Sequence, residues 1–155
     1  MNTLNYSVPS CDGIHDLAGK VYLPSEPPIG ILHVLHGMTE HISRYTPTMR
    51  AFAEQGILAV GYDNLGHGYT AKPGEHGFIA DKDGHMLLAK DVAVFASAVK
   101  ERYGKDIPYV LMGHSMGSFI LRKYLAMYKK GISGAIICGT ATKPSFITNL
   151  GVFIC

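Results

Sequence analysis

Tryptophan is absent from the chain, and cysteine is rare. The three cysteines, Cys11, Cys138 and Cys155, are widely spaced and odd in number. This spacing excludes a disulfide framework, and without a C-x-x-C pair the commonest sequence pattern of a zinc site is missing. We therefore expect a reducing, cytoplasmic setting and no bound metal.

A strong excess of either charge is also lacking. Fourteen basic residues and twelve acidic ones give a net charge of +2. This charge is too small to predict a basic surface that binds nucleic acid. No apolar run is long enough to span a bilayer, so we expect no transmembrane segment. Residues 1–5 have neither a basic start nor an apolar core, so we also expect no signal peptide.

What the chain does contain is a series of apolar segments with strand-like and helix-like spacing. Hydrophobic residues make up 47% of the 155 positions, which is enough for one domain with a core. Apolar or alternating runs predict strands, and stripes at helical spacing predict helices. The predicted strands are 5–8, 17–23, 29–35, 57–62, 108–112 and 133–138. The predicted helices are 44–55, 84–103 with Asp83 as its cap, and 115–129.

The order of these segments is β-β-β-α-β-α-β-α-β. Apolar strands that alternate with amphipathic helices are typical of the α/β class, with a mainly parallel sheet and helices on both faces. Turn residues between the first two strands predict an antiparallel hairpin at one edge of that sheet.

The sequence Gly113-His114-Ser115-Met116-Gly117 lies between a predicted strand and a predicted helix. This is the G-x-S-x-G pattern of a nucleophile elbow, which is indicative only where a strand precedes it and a helix follows it, as predicted here. Glycine tolerates the backbone angles of a sharp turn and leaves room around the serine. We predict that Ser115 is a catalytic nucleophile and that Gly113, His114 and Gly117 shape its surroundings.

A nucleophilic serine that attacks a carbonyl also needs donors for the oxyanion that forms. The amide of Met116 is one candidate, because it follows the serine at the start of a helix. The amide of Met38 is the second, because it follows the turn His36-Gly37 after an earlier strand. We predict that Gly37 lets the backbone turn and that His36 shapes the loop by hydrogen bonding.

Three segments resemble the monoacylglycerol lipase and lysophospholipase branch of the α/β-hydrolases. Residues 36–45 (HGMTEHISRY) are similar to its oxyanion segment, and 113–118 (GHSMGS) match its elbow. Residues 63–70 (DNLGHGYT) resemble its D-x-x-G-H-G-x-S loop, with Thr70 in place of the usual serine. The resemblance implies an α/β-hydrolase fold and serine hydrolysis of lipid-like carboxylic esters, without metal or organic cofactor.

In this fold the catalytic acid and histidine follow the nucleophile along the chain. Residues 139–155 contain no Asp, Glu or His, so the triad acid and base are not in this sequence. We therefore expect residues 1–138 to be the N-terminal part of the hydrolase core and 139–155 to begin a cap. On this interpretation the C-terminal half of the fold and the cap are missing, and the chain alone is inactive. Any contact with a membrane surface would be transient and made through that missing cap.

Other functions remain open at this point. The same elbow could serve a thioesterase, an acyltransferase or a peptidase. A non-catalytic remnant or binding module of the same fold is the alternative from another class. A dehalogenase or epoxide hydrolase would carry an aspartate at the position of Ser115.

Several polar residues have structural interpretations. Asp63 precedes the serine, which is the wrong order for the triad acid, so we expect it to fix the loop 66–68. His33 is expected to be a satisfied core residue, and Cys138 a buried small apolar one. Glu40 and Arg44 are expected to form a solvated face or a local ion pair. Three methionines could line an acyl pocket or the core: Met38, Met112 and Met116.

Overall fold

A computed structural model describes residues 2–128 and 130–141 of the protein. Its strands are β1 (Asn2–Pro9), β2 (Asp16–Leu23), β3 (Gly30–Leu35), β4 (Ile57–Tyr62), β5 (Tyr109–His114) and β6 (Gly134–Cys138). Its helices are α1 (Thr46–Glu54), α2 (Gly84–Tyr103) and α3 (Met116–Met127), and a 3₁₀ turn (Ile42–Tyr45) precedes α1. The strands form one sheet in the order β1-β2-β4-β3-β5-β6.

The predicted fold class is confirmed by the direction of the strands. Strands β4, β3, β5 and β6 are parallel to one another. Strand β2 is antiparallel to β4, and β1 pairs antiparallel with β2 along its full length, from Asn2 opposite Leu23 to Pro9 opposite Asp16. The antiparallel hairpin therefore lies at one edge of a mainly parallel sheet.

Helices cover both faces of the sheet, as predicted. Helix α1 packs on one face through Met49 and Ala53, against the strand residues Leu32, Val34 and Ala59. Helices α2 and α3 pack on the other face, and together with the opposite sides of the strands they form the larger core. Strand β3 lies in the middle of the sheet with Ile31 to Leu35 all buried, which explains its continuous apolar sequence.

Several predicted boundaries, and the predicted cap of α2, differ from the structure. Strand β1 is longer than predicted. Most of its side chains are exposed and carry no apolar pattern, so its full length could not be recognised from the sequence. The first helix begins later, since the 3₁₀ turn takes its first residues. Asp83 precedes α2 but has a left-handed backbone, with φ of 55°, and its side chain makes no capping hydrogen bond. Helix α3 begins after Ser115 and ends at Met127, because Tyr128 is extended.

Some predictions fall on residues that the structure does not describe. Lys129 and most of the predicted cap segment, 142–155, lie outside the described residues. Within the described part of the chain, no helix is both long and apolar enough to cross a membrane.

Candidate active site

Ser115 lies at the junction between β5 and α3. Its backbone has φ of 51° and ψ of −118°, a conformation that side-chain-bearing residues rarely adopt. The Ser115 amide donates a hydrogen bond to the carbonyl oxygen of Cys138 at 3.0 Å, and its own carbonyl accepts one from the Ser118 hydroxyl at 2.6 Å. Neighbouring residues thus hold the serine in a strained, half-exposed position at the end of the central strands.

The two elbow glycines are needed for close backbone contact rather than for a positive φ. A Cβ atom at Gly113 would overlap the carbonyl of Gly117, and one at Gly117 would overlap the carbonyl of Leu35. These contacts bring the start of α3 against the end of β3. The chain after β3 therefore passes directly beside the serine: a Cβ atom on Gly37 would lie 3.2 Å from the Cβ of Ser115.

His36 holds the turn that follows β3. Its Nε2 accepts hydrogen bonds from Asn64, from the backbone amide at 2.9 Å and the side-chain amide at 3.1 Å. Because Nε2 accepts, Nδ1 carries the proton and donates to the carbonyl oxygen of Gly37 at 2.7 Å. Burial lowers the pKa of His36, which agrees with a neutral ring. His36 therefore shapes the loop by hydrogen bonding, as predicted.

Glu40 holds the same turn from its other side. One carboxylate oxygen, Oε1, accepts the amide of Gly37 at 2.5 Å and the hydroxyl of Tyr45 at 2.6 Å. The other, Oε2, lies 3.0 Å from the Arg44 guanidinium. Only 6% of the Glu40 side chain is exposed, so the predicted ion pair with Arg44 is present but the alternative of a solvated face is wrong.

Met38 and Met116, the residues predicted to supply the oxyanion donors, border one cleft. Its volume is about 530 Å³, and its lining also includes Glu40, His41 and Ile79. Neither methionine amide donates a hydrogen bond to another described residue, so both are available to a ligand. Met112, for which the sequence left both an acyl pocket and the core open, packs against the core beneath α1.

The loop after β4 forms another wall of this cleft, and Asp63 fixes it. The Asp63 carboxylate accepts the amide of Ile42 at 2.7 Å and the amide of Tyr69 at 2.8 Å. A side chain at Gly68 would overlap this carboxylate, which explains the glycine. Thr70 donates to the Asp63 carbonyl at 2.6 Å, so its hydroxyl supports the loop from inside the core. Asp63 has the structural role that the sequence predicted.

No histidine side chain hydrogen-bonds to the Ser115 hydroxyl, and all eight histidines are among the described residues. His114, next to the serine, turns its Nδ1 toward Glu40 at 3.6 Å. His33 is fully buried, which lowers its pKa to about 3, and its Nδ1 lies 2.9 Å from the Tyr109 hydroxyl. His33 is a core residue as predicted, although its Nε2 has no partner among the described residues.

Two further predictions concern cysteine and metal. Cys138 is half-buried rather than buried, because β6 is the last strand of the described sheet. Among residues 2–128 and 130–141 there is no group of three or more His, Cys, Asp and Glu side chains that could hold a metal ion.

Sequence reasoning missed part of the site. It did not identify the contacts of Glu40 with Gly37 and Tyr45, or the role of Asn64 in orienting His36. It also left the residues 66–79 as a loop without a function, whereas several of them line the cleft. No local sequence pattern indicates that Glu40 pairs with Tyr45, because the spacing of Tyr45 from the apolar residues after it predicts only one face of a helix.

Comparison with known proteins places this geometry in a family. A sequence profile described as serine aminopeptidase, S33, matches residues 26–152, which is more than half of the chain. A monoacylglycerol lipase from Mycolicibacterium smegmatis is 27% identical over 78% of this chain and 41% of its own. A monoglyceride lipase from Mus musculus is 30% identical over 65% of this chain and 31% of its own.

Solved structures agree with the sequence relatives. A thermostable carboxyl esterase from Bacillus coagulans, in complex with glycerol, superposes with a TM-score of 0.87 and 36% identity over 99% of this chain and 49% of that protein. A monoglyceride lipase from Saccharomyces cerevisiae, 22% identical with a TM-score of 0.70, shares the fold over 87% of this chain and 43% of its own.

The chain spans less than half the length of each of these relatives, between 31% and 49%. Over that length the sequence profile and the fold agree. The chain therefore belongs to the serine aminopeptidase S33 family of α/β-hydrolases.

Proposed function

We propose that this chain is the nucleophile-bearing part of a serine hydrolase that cleaves carboxylic esters, with Ser115 as the nucleophile. The strained backbone of Ser115 carries the proposal, because a conformation this costly persists only where the surroundings enforce it, and such residues cluster at active sites. The cleft bordered by Met38 and Met116 supports it as well: Ser115 itself does not line the cleft, but Met116, the residue that follows it in the chain, does.

In the proposed reaction, the Ser115 hydroxyl oxygen attacks the ester carbonyl carbon while a base removes the hydroxyl proton. The carbonyl oxygen becomes an oxyanion, which accepts hydrogen bonds from the amides of Met38 and Met116. When the tetrahedral intermediate collapses, the alcohol leaves with the proton and the acyl group stays on Ser115. Water then attacks the acyl-enzyme by the same route and releases the acid.

The base belongs to a part of the fold that the 155 residues do not contain. In α/β-hydrolases the acid and the histidine follow the nucleophile along the chain. We propose that residues 1–138 are the N-terminal part of the core, that residues 139–155 begin a cap, and that the remaining half of the fold supplies both triad partners. The coverage of only 49% of the Bacillus coagulans esterase supports this division.

For the substrate we propose a lipid-like ester, a monoacylglycerol or a lysophospholipid. Relatives named as monoacylglycerol and monoglyceride lipases support this class. The exposed, apolar side chain of Met38 lies at the cleft together with Ile79 and Met116, and such a lining favours an acyl chain.

The test uses the protein expressed from its complete reading frame, with Ser115→Ala as the matched variant. We expect a fluorophosphonate probe to label the wild-type protein on Ser115, and we expect hydrolysis of p-nitrophenyl esters. The variant should lose labelling entirely and hydrolysis by more than about 1,000-fold. A protein that folds cooperatively but carries no label on Ser115 would reject the proposal in favour of a non-catalytic binding module.

Substrate panels then separate the enzyme classes. Monoacylglycerols, lysophospholipids, acyl thioesters and aminoacyl p-nitroanilides are compared by kcat/KM. Faster cleavage of the p-nitroanilides than of the esters would indicate a peptidase. Faster cleavage of the thioesters would indicate a thioesterase.

A further inference from the structure

The backbone on both sides of Gly37 is held by an ionisable side chain. The amide of Gly37, on the peptide unit before it, donates to Glu40 Oε1 at 2.5 Å. The carbonyl of Gly37, on the peptide unit after it, accepts from His36 Nδ1 at 2.7 Å. The two torsion angles of Gly37 lie between these two fixed peptide units. A glycine is otherwise the most freely rotating residue, so the two contacts together determine its conformation.

This arrangement sets the direction of the Met38 amide. The carbonyl of Gly37 and the amide of Met38 belong to the same peptide unit, and the described chain has no cis peptide bond. In a trans peptide the N–H points opposite to the C=O. Since His36 draws the carbonyl to one side, the Met38 amide points to the other, where it can meet a ligand in the cleft.

The Glu40 carboxylate is itself held by several partners. Burial favours its neutral form, but the hydrogen bonds from Tyr45 and Gly37 and the charge of Arg44 outweigh burial and lower its pKa. His114, at 3.6 Å from Oε1, connects the same carboxylate to the elbow that carries Ser115. Glu40 thus contacts the turn after β3 and the residue beside the serine at once.

We propose that Glu40 is a positioning residue that fixes the Gly37 turn and thereby aligns the Met38 amide with Ser115. This inference goes beyond the proposed function, on which its catalytic consequence rests. Glu40 does not touch the reacting atoms. It acts through the backbone of Gly37, which lies against the serine.

The first experiment measures the contact without any need for activity. In ¹⁵N-labelled protein from the complete reading frame, the Gly37 amide proton should shift as the pH falls and Glu40 protonates. The midpoint should lie below 4.5, the ordinary value of a glutamate. Tyr45→Phe removes one donor from the carboxylate and should raise that midpoint, while Glu40→Gln should abolish the titration. A Gly37 amide that does not titrate in the wild-type protein would overturn the proposal.

The second experiment measures the consequence at Ser115. Glu40→Ala should displace the Met38 amide resonance. It should also slow fluorophosphonate labelling by about 10- to 100-fold, which is no more than the rate loss expected when a whole oxyanion donor is removed. Glu40→Gln keeps an acceptor for Gly37 and should restore labelling to within about threefold of the wild-type rate. Glu54→Gln, at the exposed end of α1, is the control and should change neither readout.

The possible failures are distinguishable. If the wild-type protein shows the Gly37 titration and Glu40→Ala displaces the Met38 resonance, but the wild-type protein is not labelled, Ser115 is rejected as a nucleophile and Glu40 remains the residue that fixes the turn. If Glu40→Ala is labelled at the same rate as the wild-type protein, the proposed function stands and the positioning role of Glu40 is overturned.

Discussion

At the scale of single residues, Gly117 decides how closely the elbow can approach the end of β3. Its Cα lies so near the carbonyls of Leu35 and His36 that a methyl group would overlap both. These obstacles are backbone atoms of a fully buried central strand, which cannot rotate away as a side chain could. Position 117, two residues after Ser115, therefore tolerates only the smallest residue.

We expect Gly117→Ala to destabilise the protein by about 1–3 kcal/mol, the usual cost of overpacking a core. The substitution should also move α3 away from β3 and slow labelling of Ser115. The midpoint of urea unfolding and the labelling rate are the two measurements.

Gly134→Ala, in β6, is the matched control for this substitution. A Cβ atom at Gly134 would meet Val110 Cγ2 at 3.6 Å, which is ordinary contact, and the backbone there has no positive φ. It should leave the unfolding midpoint close to that of the wild-type protein. If both substitutions lower the unfolding midpoint equally, overlap with the Leu35 carbonyl is not what destabilises Gly117→Ala.

Residues of the site were predictable from sequence where the chemistry depends on neighbours along the chain. Ser115, Gly113 and Gly117 form a local turn, and a strand and a helix on either side identify it. Glu40 was not predictable in the same way, because its contacts with Gly37 and Tyr45 depend on how the turn folds back. The catalytic roles of Ser115, Met38 and Met116 stay predictions until activity is measured.

At the scale of elements, the long connection between β4 and α2 is as important as any helix. Residues 63–83 contain no helix or strand, yet they form one wall of the cleft. Asp63 fixes the beginning of this connection, and His15 fixes its middle. His15 lies in the turn between β1 and β2, where its Nδ1 is 2.6 Å from Asp12 and its Nε2 is 2.8 Å from Glu75.

Both ring nitrogens of His15 face carboxylates, which only accept hydrogen bonds, so the ring must be protonated to make both contacts. The hydrogen bonds that the His15 ring donates to Glu75 and Asp12 accordingly raise the pKa of His15 above its ordinary value of 6.5. A raised folded-state pKa contributes stability that is complete below the unfolded-state value and is lost as the pH rises through the folded-state value.

We therefore expect the free energy of unfolding of the wild-type protein to fall, relative to that of His15→Gln, as the pH rises from about 6 to about 9. The pKa of Glu75, ordinarily 4.5, is lowered further by the hydrogen bond from His15 and by Lys72, so that carboxylate is ionised throughout this range. Urea unfolding at several pH values measures the difference. His85→Gln, exposed at the start of α2, is the control. A pH-independent difference between wild type and His15→Gln would contradict the ion pairs.

Most elements were predictable from sequence, because buried strands and amphipathic helices leave periodic patterns. The failures have physical reasons. Strand β1 is exposed along most of its length and so has little apolar pattern. The 3₁₀ turn before α1 is held by a side chain from another element, since Asp63 accepts the amide of Ile42. No local pattern could reveal either feature.

At the scale of the whole molecule, the described sheet ends in two edge strands, β1 and β6. Strand β6 pairs only with β5 among the described strands. Its neighbouring residues Ile136 and Ile137 point to opposite faces, and they are 40% and 42% exposed. Strands of a parallel sheet are normally covered on both faces. This chain covers 49% of the length of the Bacillus coagulans esterase.

We expect the 155-residue chain, expressed alone, to self-associate at micromolar concentration through β6, because an open edge with exposed apolar residues is a template for pairing. Replacing both Ile136 and Ile137 by lysine should shift the chain toward monomer in sedimentation velocity. Ile29→Lys is the matched control, since Ile29 is 71% exposed but lies away from β6, and it should leave association unchanged. A wild-type chain that stays monomeric over this range, or a control as effective as the double variant, would exclude β6 as the surface that drives association.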